Sequence, residues 1–463
     1  MYFEQFYLGC LSHASYMIGS GGDALVIDPQ RDVEIYLRAA EAQGLTIRHI
    51  FETHLHADFV SGHHELAART GATIYIGDKA NAGFPHVGLT DDFSLSMGSV
   101  VIRALETPGH TPESMSLIVT DRERGESPWA VFTGDTLFIG DVGRPDLSPT
   151  HTPQQLAGLL YESLHGKLMR LDNSVLVYPA HGAGSLCGRN MRAERSSTIG
   201  TERLTNYALQ IPSKEDFVAA MTHNLPARPA YFSEDAELNR AGAPALTQLP
   251  ELTPISAAEL KALLDQDHFA LDVRSNADFA AAHIPKSVNI ALSGQFASWA
   301  GALLGLSQNP ILIADTPEQY AEARVRLARV GLEKCRGSLK GGVAAWKAAG
   351  YPLSSLVEVS VKELHEKLRG EDLQVLDVRR DSEFQAGHIT GAIHWPLDNF
   401  KVSPPEIDSS RPVAVHCKGG YRSTIACSLL RRAGFENIIN VTGGFDAWQE
   451  EQLPVEAGQA ALV

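Results

Sequence analysis

The two halves of the chain differ in how apolar and polar residues alternate. Over residues 1–120, short apolar runs such as ALVID, ATIYIG and VVIRAL are separated by Gly, Asp and Pro, and helical stretches such as DVEIYLRAAEAQG lie between them. Beyond residue 250, short runs such as ILIA and VAVH alternate with longer helical stretches. The first pattern predicts an α/β sandwich, and the second predicts parallel sheets covered by helices.

The second half contains an internal repeat. Residues 271–290 read LDVRSNADFAAAHIPKSVNI, and residues 376–395 read LDVRRDSEFQAGHITGAIHW. Each copy ends in a Gly-Gly pair followed at the same offset by a tryptophan, Trp346 or Trp448, which we expect in the core. The repeat divides the chain into a first domain over 1–240 and two related domains over 252–354 and 356–463, with a Pro-rich linker at 241–254.

Composition and charge narrow the classes of function. The chain has 463 residues, 39 Lys and Arg against 55 Asp and Glu, and a formal net charge of −16. This length suits about three domains, and the acidic balance argues against a nucleic-acid partner. No apolar run reaches the roughly 18 residues of a membrane helix. The N-terminus lacks the basic start of a signal peptide, and the five cysteines are dispersed, so we expect a cytoplasmic protein with working thiols.

Histidines and aspartates recur where apolar strands of the first domain end. Each follows an apolar run and lies at a turn, and several of these turns contain Gly or Pro. Imidazole and carboxylate groups suit zinc, iron or manganese. One such histidine would be an ordinary surface or core residue, but the whole set predicts a metal site. Its members are His54, His56 and Asp58 in THLHADF, His110 in TPGHTPES, Asp135 in FTGDTLF and His181 in YPAHGAG.

These motifs resemble those of the metallo-β-lactamase superfamily, and within it the branch of glyoxalase II and the persulfide dioxygenases. The resemblance implies an αββα sandwich. In the dinuclear members the first motif is HxHxDH, whereas Phe59 stands at its last position here. The persulfide dioxygenases bind one Fe(II), which the resemblance assigns to His54, His110 and Asp135. It places His56, Asp58 and His181 around these ligands as orienting residues.

Four further residues of the first domain are candidates for substrate chemistry. Arg144 and Asp146, in GDVGRPDL, resemble a substrate-binding pair, and the alternative for Arg144 is a structural salt bridge. The resemblance implies that the phenol of Tyr178 contacts substrate or oxygen, and the alternative is a core tyrosine. Cys187 lies in a glycine-rich loop after His181, where it is either a sulfur relay or an inert thiol.

The last domain carries a cysteine loop, HCKGGYRST, between an apolar strand and a helix. Its glycines allow successive N–H groups to point at the sulfur of Cys417, which favours a thiolate or persulfide anion. The domain resembles the rhodanese sulfurtransferases, so that Cys417 would be the nucleophile, Arg422 its positive neighbour, and Lys418, Gly419, Gly420 and Tyr421 the substrate loop.

The middle domain lacks this loop. Asp315 stands where the last domain has Cys417, so we expect an inactive rhodanese-like domain that serves as a spacer or docking surface. Of the other cysteines, Cys335 is distant from the loop, Cys427 falls on the following helix and is expected in the core, and Cys10 lies in no motif.

Together the resemblances imply an enzyme with two linked activities. The first oxidises a small thiol persulfide, of glutathione, coenzyme A or a similar carrier, with O2 at one Fe(II) per chain, giving sulfite and thiol. Cys417 would then link sulfite to thiosulfate by sulfur transfer. The alternatives are a glyoxalase-II-like thioester hydrolase and a sulfide or redox sensor. No membrane partner is expected, and a homo-oligomer stays open.

Overall fold

The computed structural model describes residues 1–456 apart from 224, 226, 227, 371 and 402–404. The chain forms two compact units, one of 1–249 with 328–331 and one of 250–327 with the residues from 332 onward. The last residues of the third predicted domain, 457–463, lie outside the described residues. Within the described part, no helix is long and apolar enough to cross a membrane.

The first unit is a two-sheet sandwich with helices on both outer faces. One sheet has the order β1-β2-β3-β4-β5-β6 and the other β12-β11-β10-β9-β8-β7. The strands are β1 Tyr2–Leu8, β2 His13–Ser20, β3 Asp23–Ile27, β4 Thr46–Phe51, β5 Thr73–Gly77, β6 Val87–Leu89, β7 Ser94–Met97, β8 Val100–Glu106, β9 Met115–Asp121, β10 Ala130–Gly134, β11 Leu176–Pro179 and β12 Ser197–Thr198. The helices are α1 Glu34–Gln43, α2 His63–Thr70, α3 Pro153–Gly166, α4 Ile199–Thr205, α5 Lys214–Thr222 and α6 Phe232–Ala241.

Alternation along the strands explains the sandwich. In β2, Tyr16 and Ile18 point into the core between the sheets, whereas Met17 between them packs with α1 and α2 on the outer face. In β9, Ile118 likewise faces α3 and α5, while its two neighbours face the inner core. Because side chains alternate across a strand, a sheet covered on both faces needs apolar residues at successive positions. The first unit therefore has the predicted αββα architecture.

The second unit contains two five-stranded parallel sheets, in the orders β13-β17-β16-β14-β15 and β18-β23-β22-β19-β21, and a short antiparallel pair, β20 with β24. Its strands are β13 Pro254–Ile255, β14 Ala270–Asp272, β15 Val288–Asn289, β16 Ile311–Ile313, β17 Gly337–Leu339, β18 Val357–Val359, β19 Gln374–Asp377, β20 His388–Ile389, β21 Ile393–His394, β22 Val413–His416, β23 Ile438–Val441 and β24 Val455–Glu456. The helices are α7 Ala257–Asp265, α8 Asn276–Ala281, α9 Phe296–Leu304, α10 Pro317–Ala328, α11 Gly342–Ala348, α12 Val361–Lys367, α13 Asp381–Ala386, α14 Tyr421–Arg432 and α15 Gly444–Glu450.

The sequence repeat is a structural repeat. Both sheets have the same strand order, and each repeated tryptophan is buried in the core of its own copy. The indole N–H of Trp346 donates to the carbonyl of Pro352, and that of Trp448 to the carbonyl of Pro454, both at 2.9 Å. The core role predicted for the two tryptophans is therefore confirmed.

Candidate functional site

The buried side chains of His54, His110 and Asp135 meet at the ends of their strands. The Nε2 atoms of His54 and His110 lie 3.8 and 3.4 Å from Asp135 Oδ2. One ligand atom from each of the three lies within 4.8 Å of the others. The structure thus brings together the three residues to which the family resemblance assigns the iron.

Hydrogen bonds to the outer ring nitrogens orient both histidines. His110 Nδ1 lies 2.9 Å from the carbonyl oxygen of Arg144, to which it can only donate. His54 Nδ1 lies 3.0 Å from Thr53 Oγ1, and that hydroxyl donates to Asp28 at 2.9 Å, so it accepts from the ring. Each neutral ring then carries its proton on Nδ1, which leaves a lone pair on Nε2.

The charge states of the three groups suit a metal ion. Burial lowers the pKa of His54 and of His110, so both rings are neutral. The neighbouring His181, His54 and His110 outweigh burial and hold the pKa of Asp135 well below its usual value. Neither Nε2 atom has a hydrogen-bond partner among the described residues. Two buried lone pairs facing a carboxylate are costly without a bound cation, so this donor set fits a divalent metal.

The second part of the motif set forms another cluster. His56, Asp58 and His181 also bring ligand atoms within 4.8 Å of one another. His181 bridges two carboxylates, with Nδ1 2.8 Å from Asp135 Oδ1 and Nε2 3.0 Å from Asp58 Oδ2. His56 Nε2 lies 3.2 Å from Asp28 Oδ1. Contact with Asp135 suits the orienting role expected for His181.

One residue at this site was missed by motif reading. His13, at the start of β2, is fully buried, and its ring centroid lies 4.1 Å from that of Phe59 and 5.4 Å from that of His181. It lies forty-one positions before His54 and belongs to none of the quoted motifs. Only a histidine before an apolar strand marks it in the sequence, and such a residue is usually structural.

The loop after β10 connects Arg144 to the metal ligands and to Cys187. The Arg144 guanidinium forms two hydrogen bonds to Asp146, at 2.7 and 2.9 Å, and its backbone N–H donates to the Cys187 carbonyl at 3.0 Å. Asp141, which was also missed, accepts from the backbone N–H groups of Arg189 and Asn190, both at 2.6 Å. These contacts support the salt-bridge alternative for Arg144 and tie the loop to residues 187–190.

Cys187 is buried against the metal ligands. Its sulfur lies within 4.8 Å of ligand atoms of Asp135 and His181. Burial, followed by the charges of Asp58 and Asp135, raises the pKa of the thiol well above its usual value. The cysteine is therefore a neutral thiol buried beside the metal ligands.

Tyr178 packs in the core between the two sheets. Its ring stacks on Phe132 at 5.3 Å and lies 5.0 Å from Phe3 and 5.9 Å from Trp129. Burial raises the pKa of its phenol. Because side chains alternate along β11, the ring faces this aromatic cluster while the metal cluster follows the strand end. This environment supports the core alternative for Tyr178.

The loop of the last domain encloses its cysteine. Cys417 is 1% exposed, and the N–H of Gly420 donates to its sulfur at 3.1 Å. The Gly-Gly pair at the start of α15 makes this fold possible, because a Cβ on Gly444 would lie 2.5 Å from the Cys417 carbonyl oxygen. The N–H of Phe445 donates to that same oxygen at 2.8 Å. The start of α15 therefore holds the loop by a hydrogen bond to its backbone.

The positive charge of Arg422 is paired with the carboxylate of Glu383. Its guanidinium donates to both carboxylate oxygens of Glu383, at 2.6 and 2.7 Å. Although burial opposes it, this pairing lowers the pKa of Glu383 to about 2, so the partner stays ionised at working pH. Glu383 lies 39 residues earlier and was not predicted to be near the loop. The net positive charge at Cys417 is thus smaller than the sequence alone indicates.

The middle domain has a different structure at the matching position. Asp315 replaces the nucleophile, and the hydroxyl of Tyr320 donates to the carbonyl oxygen of Leu339 at 2.6 Å and lies 3.0 Å from that of Ala314. Cys335 lies twenty residues after Asp315 in the chain, and burial raises the pKa of its thiol to about 11. Cys427 is fully buried on α14, as expected of a core residue.

Comparison with known proteins gives two family matches. The metallo-beta-lactamase superfamily matches residues 8–181, and the rhodanese-like domain matches residues 256–349 and 360–451. The mitochondrial persulfide dioxygenase ETHE1 of Bos taurus is 29% identical over 220 residues, which span 46% of this chain and 77% of that protein. A sulfurtransferase of Allochromatium vinosum is 32% identical over 101 residues, which span 22% of this chain and 94% of that protein.

A solved structure shows the same fold over a larger span. The crystal structure of a metallo-beta-lactamase from Staphylococcus aureus superposes with a TM-score of 0.66 at 31% identity. The match covers 73% of this chain and 98% of that one, so it extends beyond the first unit. The chain belongs to the metallo-β-lactamase superfamily and continues, after that domain, into two rhodanese-like domains.

Proposed function

We propose that the chain oxidises thiol persulfides with O2 and transfers sulfane sulfur at Cys417. The observation that carries this proposal is the buried triad of His54, His110 and Asp135, whose two Nε2 lone pairs face one carboxylate. The similarity of the chain to ETHE1, named a persulfide dioxygenase, supports the first activity, and its similarity to a sulfurtransferase supports the second. We assign the first to residues 1–240 and the second to residues 356–463.

The two reactions balance when written together. With glutathione as carrier, GSSH, O2 and H2O give GSH, sulfite and two protons. A second persulfide transfers its terminal sulfur to the Cys417 thiolate and leaves as thiol. Sulfite attacks that sulfur, the S–S bond to Cys417 breaks, and thiosulfate leaves with the Cys417 thiolate restored. Two persulfides and one O2 thus give one thiosulfate.

The first domain would hold the iron and the persulfide in position and keep water away from them. Fe(II), held by His54, His110 and Asp135, would supply the open coordination positions and the redox chemistry that O2 requires. His181 holds the Asp135 carboxylate in place, and Arg144 holds His110 through its carbonyl. Cys187 is placed to accept sulfur from a bound persulfide, and we propose it as a relay.

The last domain contributes a cradle for a sulfur anion. The Gly420 N–H already points at the Cys417 sulfur, and the ion pair of Arg422 with Glu383 lies beside the loop. Lys418 and Gly419 complete the segment to which we assign substrate binding. Such a loop stabilises a persulfide as well as a thiolate, because both are anions.

One observation favours the hydrolase alternative. His56, Asp58 and His181 form a second set of buried ligands, and a dinuclear site could activate water for attack on a thioester. Phe59 argues against it, since it removes a ligand of the second metal. The test is to assay one preparation on glutathione persulfide in an oxygen electrode and on a glutathione thioester. We expect O2 uptake and no thioester hydrolysis, and the reverse result would refute the proposal.

The middle domain is expected to transfer no sulfur. Asp315 offers no thiol, and its carboxylate repels thiosulfate. In the full-length Cys417→Ser protein, thiocyanate formation from thiosulfate and cyanide should fall to background, whereas Cys335→Ser should keep wild-type turnover. Turnover that survives in Cys417→Ser and disappears when Asp315 is also replaced would show that the middle domain is active.

Gly143→Ala is expected to weaken the metal site. A Cβ there would lie 2.0 Å from the Asp135 carbonyl oxygen and 2.9 Å from His110 Nδ1, so both ligands must shift. Overpacking of this kind lowers the free energy of unfolding by about 1–3 kcal/mol. We expect less iron per chain and a lower melting temperature. Gly166→Ala, at the end of α3, meets nothing within 4 Å; it is the matched control and should lower neither.

A further inference from the structure

The helix that follows the cysteine loop is held by the middle domain. The hydroxyl of Tyr421, the first residue of α14, donates to the carbonyl of Ala291 at 2.8 Å. Its ring lies against Gly294, where a Cβ would come within 3.3 Å of the ring. Tyr421 therefore points out of its own domain, although it belongs to the loop to which sequence reasoning assigned substrate binding.

The contact continues along one face of α14. Ser428 accepts from the N–H of Asn289 at 3.1 Å, and the Arg432 guanidinium donates to the carboxylate and the carbonyl of Asp267, each at 2.8 Å. Positions 421, 428 and 432 are spaced by seven and four residues, which places them on one helix face. The middle domain thus holds α14 at both ends.

A third contact reaches the glycine whose N–H faces the sulfur. The side-chain amide of Asn276 lies 3.4 Å from the carbonyl oxygen of Gly420. The N–H of the same glycine donates to Cys417 Sγ at 3.1 Å. Gly420 has a left-handed φ of 106°, which glycine adopts readily because it has no Cβ.

We propose that the middle domain, which lacks a nucleophile of its own, is a positioning element of the Cys417 site. It holds Gly420 and Tyr421 so that the Gly420 N–H stays directed at the sulfur. This inference rests on the proposed sulfur transfer at Cys417. It replaces the spacer role expected for residues 252–354 with a direct part in the geometry of the neighbouring loop.

The test compares two tyrosine variants of the full-length protein. Tyr421→Phe removes only the hydroxyl that donates to Ala291, and Tyr320→Phe removes a hydroxyl bonded within the middle domain. For Tyr421→Phe we expect kcat/KM for thiosulfate and cyanide to fall about threefold to tenfold, the range for one lost hydrogen bond. Amide hydrogen exchange over 418–422 should become faster, while Tyr320→Phe should leave both unchanged.

The outcomes separate the two claims. Wild-type exchange and kinetics in Tyr421→Phe would overturn the positioning role. Equal losses in both tyrosine variants would also overturn it, because they would reflect general destabilisation. A wild-type protein without turnover would instead refute the proposed function, and the exchange data would still report whether the middle domain holds the loop.

An independent observation concerns His13. Both of its ring nitrogens lack hydrogen-bond partners among the described residues, although the ring is completely buried. Its neighbours are the rings of Phe59, His181 and His56, with centroids at 4.1, 5.4 and 5.6 Å. A buried imidazole with two unmet nitrogens is costly unless a bound group satisfies them.

The backbone fixes this ring beside the metal cluster. Ser12 adopts a left-handed φ of 53°, and its carbonyl accepts from the N–H of Gly182 at 2.9 Å. The N–H of Ala14 donates to the Ala180 carbonyl at 2.7 Å. The start of β2 is therefore bonded to the turn that carries His181, on both sides of His13.

From this we infer that His13 donates a hydrogen bond to the anionic sulfur group of the bound persulfide, next to His56 and His181. His13 would supply a polar contact to the persulfide, which the neighbouring Phe59 side chain cannot make. This inference also rests on the proposed function. Among the described residues, His13 belongs to none of the groups of clustered ligand atoms that could hold a metal, so its loss should leave the metal in place.

The test uses iron content and a spectroscopic readout without O2. In full-length His13→Ala we expect wild-type iron per chain. Persulfide binding, followed by its effect on the electron paramagnetic resonance signal of the ferrous nitrosyl form, should weaken at least tenfold. His13→Gln should recover part of the affinity, and His165→Ala should match wild type. Loss of iron, or unchanged binding in His13→Ala, would overturn the inference; a wild-type protein that binds no persulfide would refute the proposed function.

Discussion

Replacing His110 with alanine is expected to remove most of the iron and all O2 uptake. His110 presents its Nε2 lone pair 3.4 Å from Asp135 Oδ2, and its Nδ1 is already committed to the Arg144 carbonyl. Two protein ligands would remain, too few to hold a metal against buffer and chelators. The measurement is iron per chain in protein from iron-replete cells, together with O2 uptake on glutathione persulfide.

His181→Ala is the matched variant, because it removes a second buried histidine that also contacts Asp135. His181 touches Asp135 through a hydrogen bond, so its loss should lower iron affinity by about 10–100-fold while much of the metal stays bound in iron-replete protein. Equal metal loss in the two variants would show that His181 is itself a ligand, and the assignment of three ligands would be wrong.

Cys417→Ser is expected to change the product from thiosulfate to sulfite. In the proposed reaction sulfite leaves the first site as an anion, and the Cys417 persulfide is the sulfur donor that we propose for it. Two sites in one chain meet at an effective concentration on the order of millimolar for a flexible connection. Thiosulfate should therefore accumulate in the wild-type protein. O2 uptake on a small persulfide should stay close to wild type in the variant, because its metal ligands are unchanged.

Product analysis by thiol-derivatising chromatography beside an oxygen electrode checks this coupling. Cys335→Ser is the control and should make thiosulfate at the wild-type ratio. Thiosulfate should also support O2 uptake only when Cys417 and an acceptor thiol are both present. If Cys417→Ser keeps the wild-type product ratio, the two activities are not coupled through this residue. Cys187→Ser then shows whether the buried thiol transfers the sulfur instead.

The fold was predictable because its signals are local and repeated. Apolar runs that alternate with helical stretches, and a repeat that ends in Gly-Gly and Trp, each report on neighbouring residues. The triad was predictable only through the family resemblance, since His54, His110 and Asp135 are far apart in the chain. The structure adds the reason for their ligand geometry, which lies in the partners of the two Nδ1 atoms.

The remaining features depend on tertiary contacts that leave no pattern in the sequence. Glu383 reaches Arg422 across 39 residues, and Tyr421 reaches Ala291 across 130. The residue types alone do not indicate that either pair is in contact. His13 lies near His181 because a bridge joins the start of β2 to the turn after β11. Such contacts follow from packing, so they appear only when the fold is known.

The most direct test of the central claim is the metal content and O2 stoichiometry of one preparation of Cys417→Ser. This variant removes the later sulfur transfer and isolates the first reaction. We predict one iron per chain, and one O2 consumed and one sulfite formed for each glutathione persulfide. Two zinc ions per chain, with thioester hydrolysis and no O2 uptake, would contradict the account.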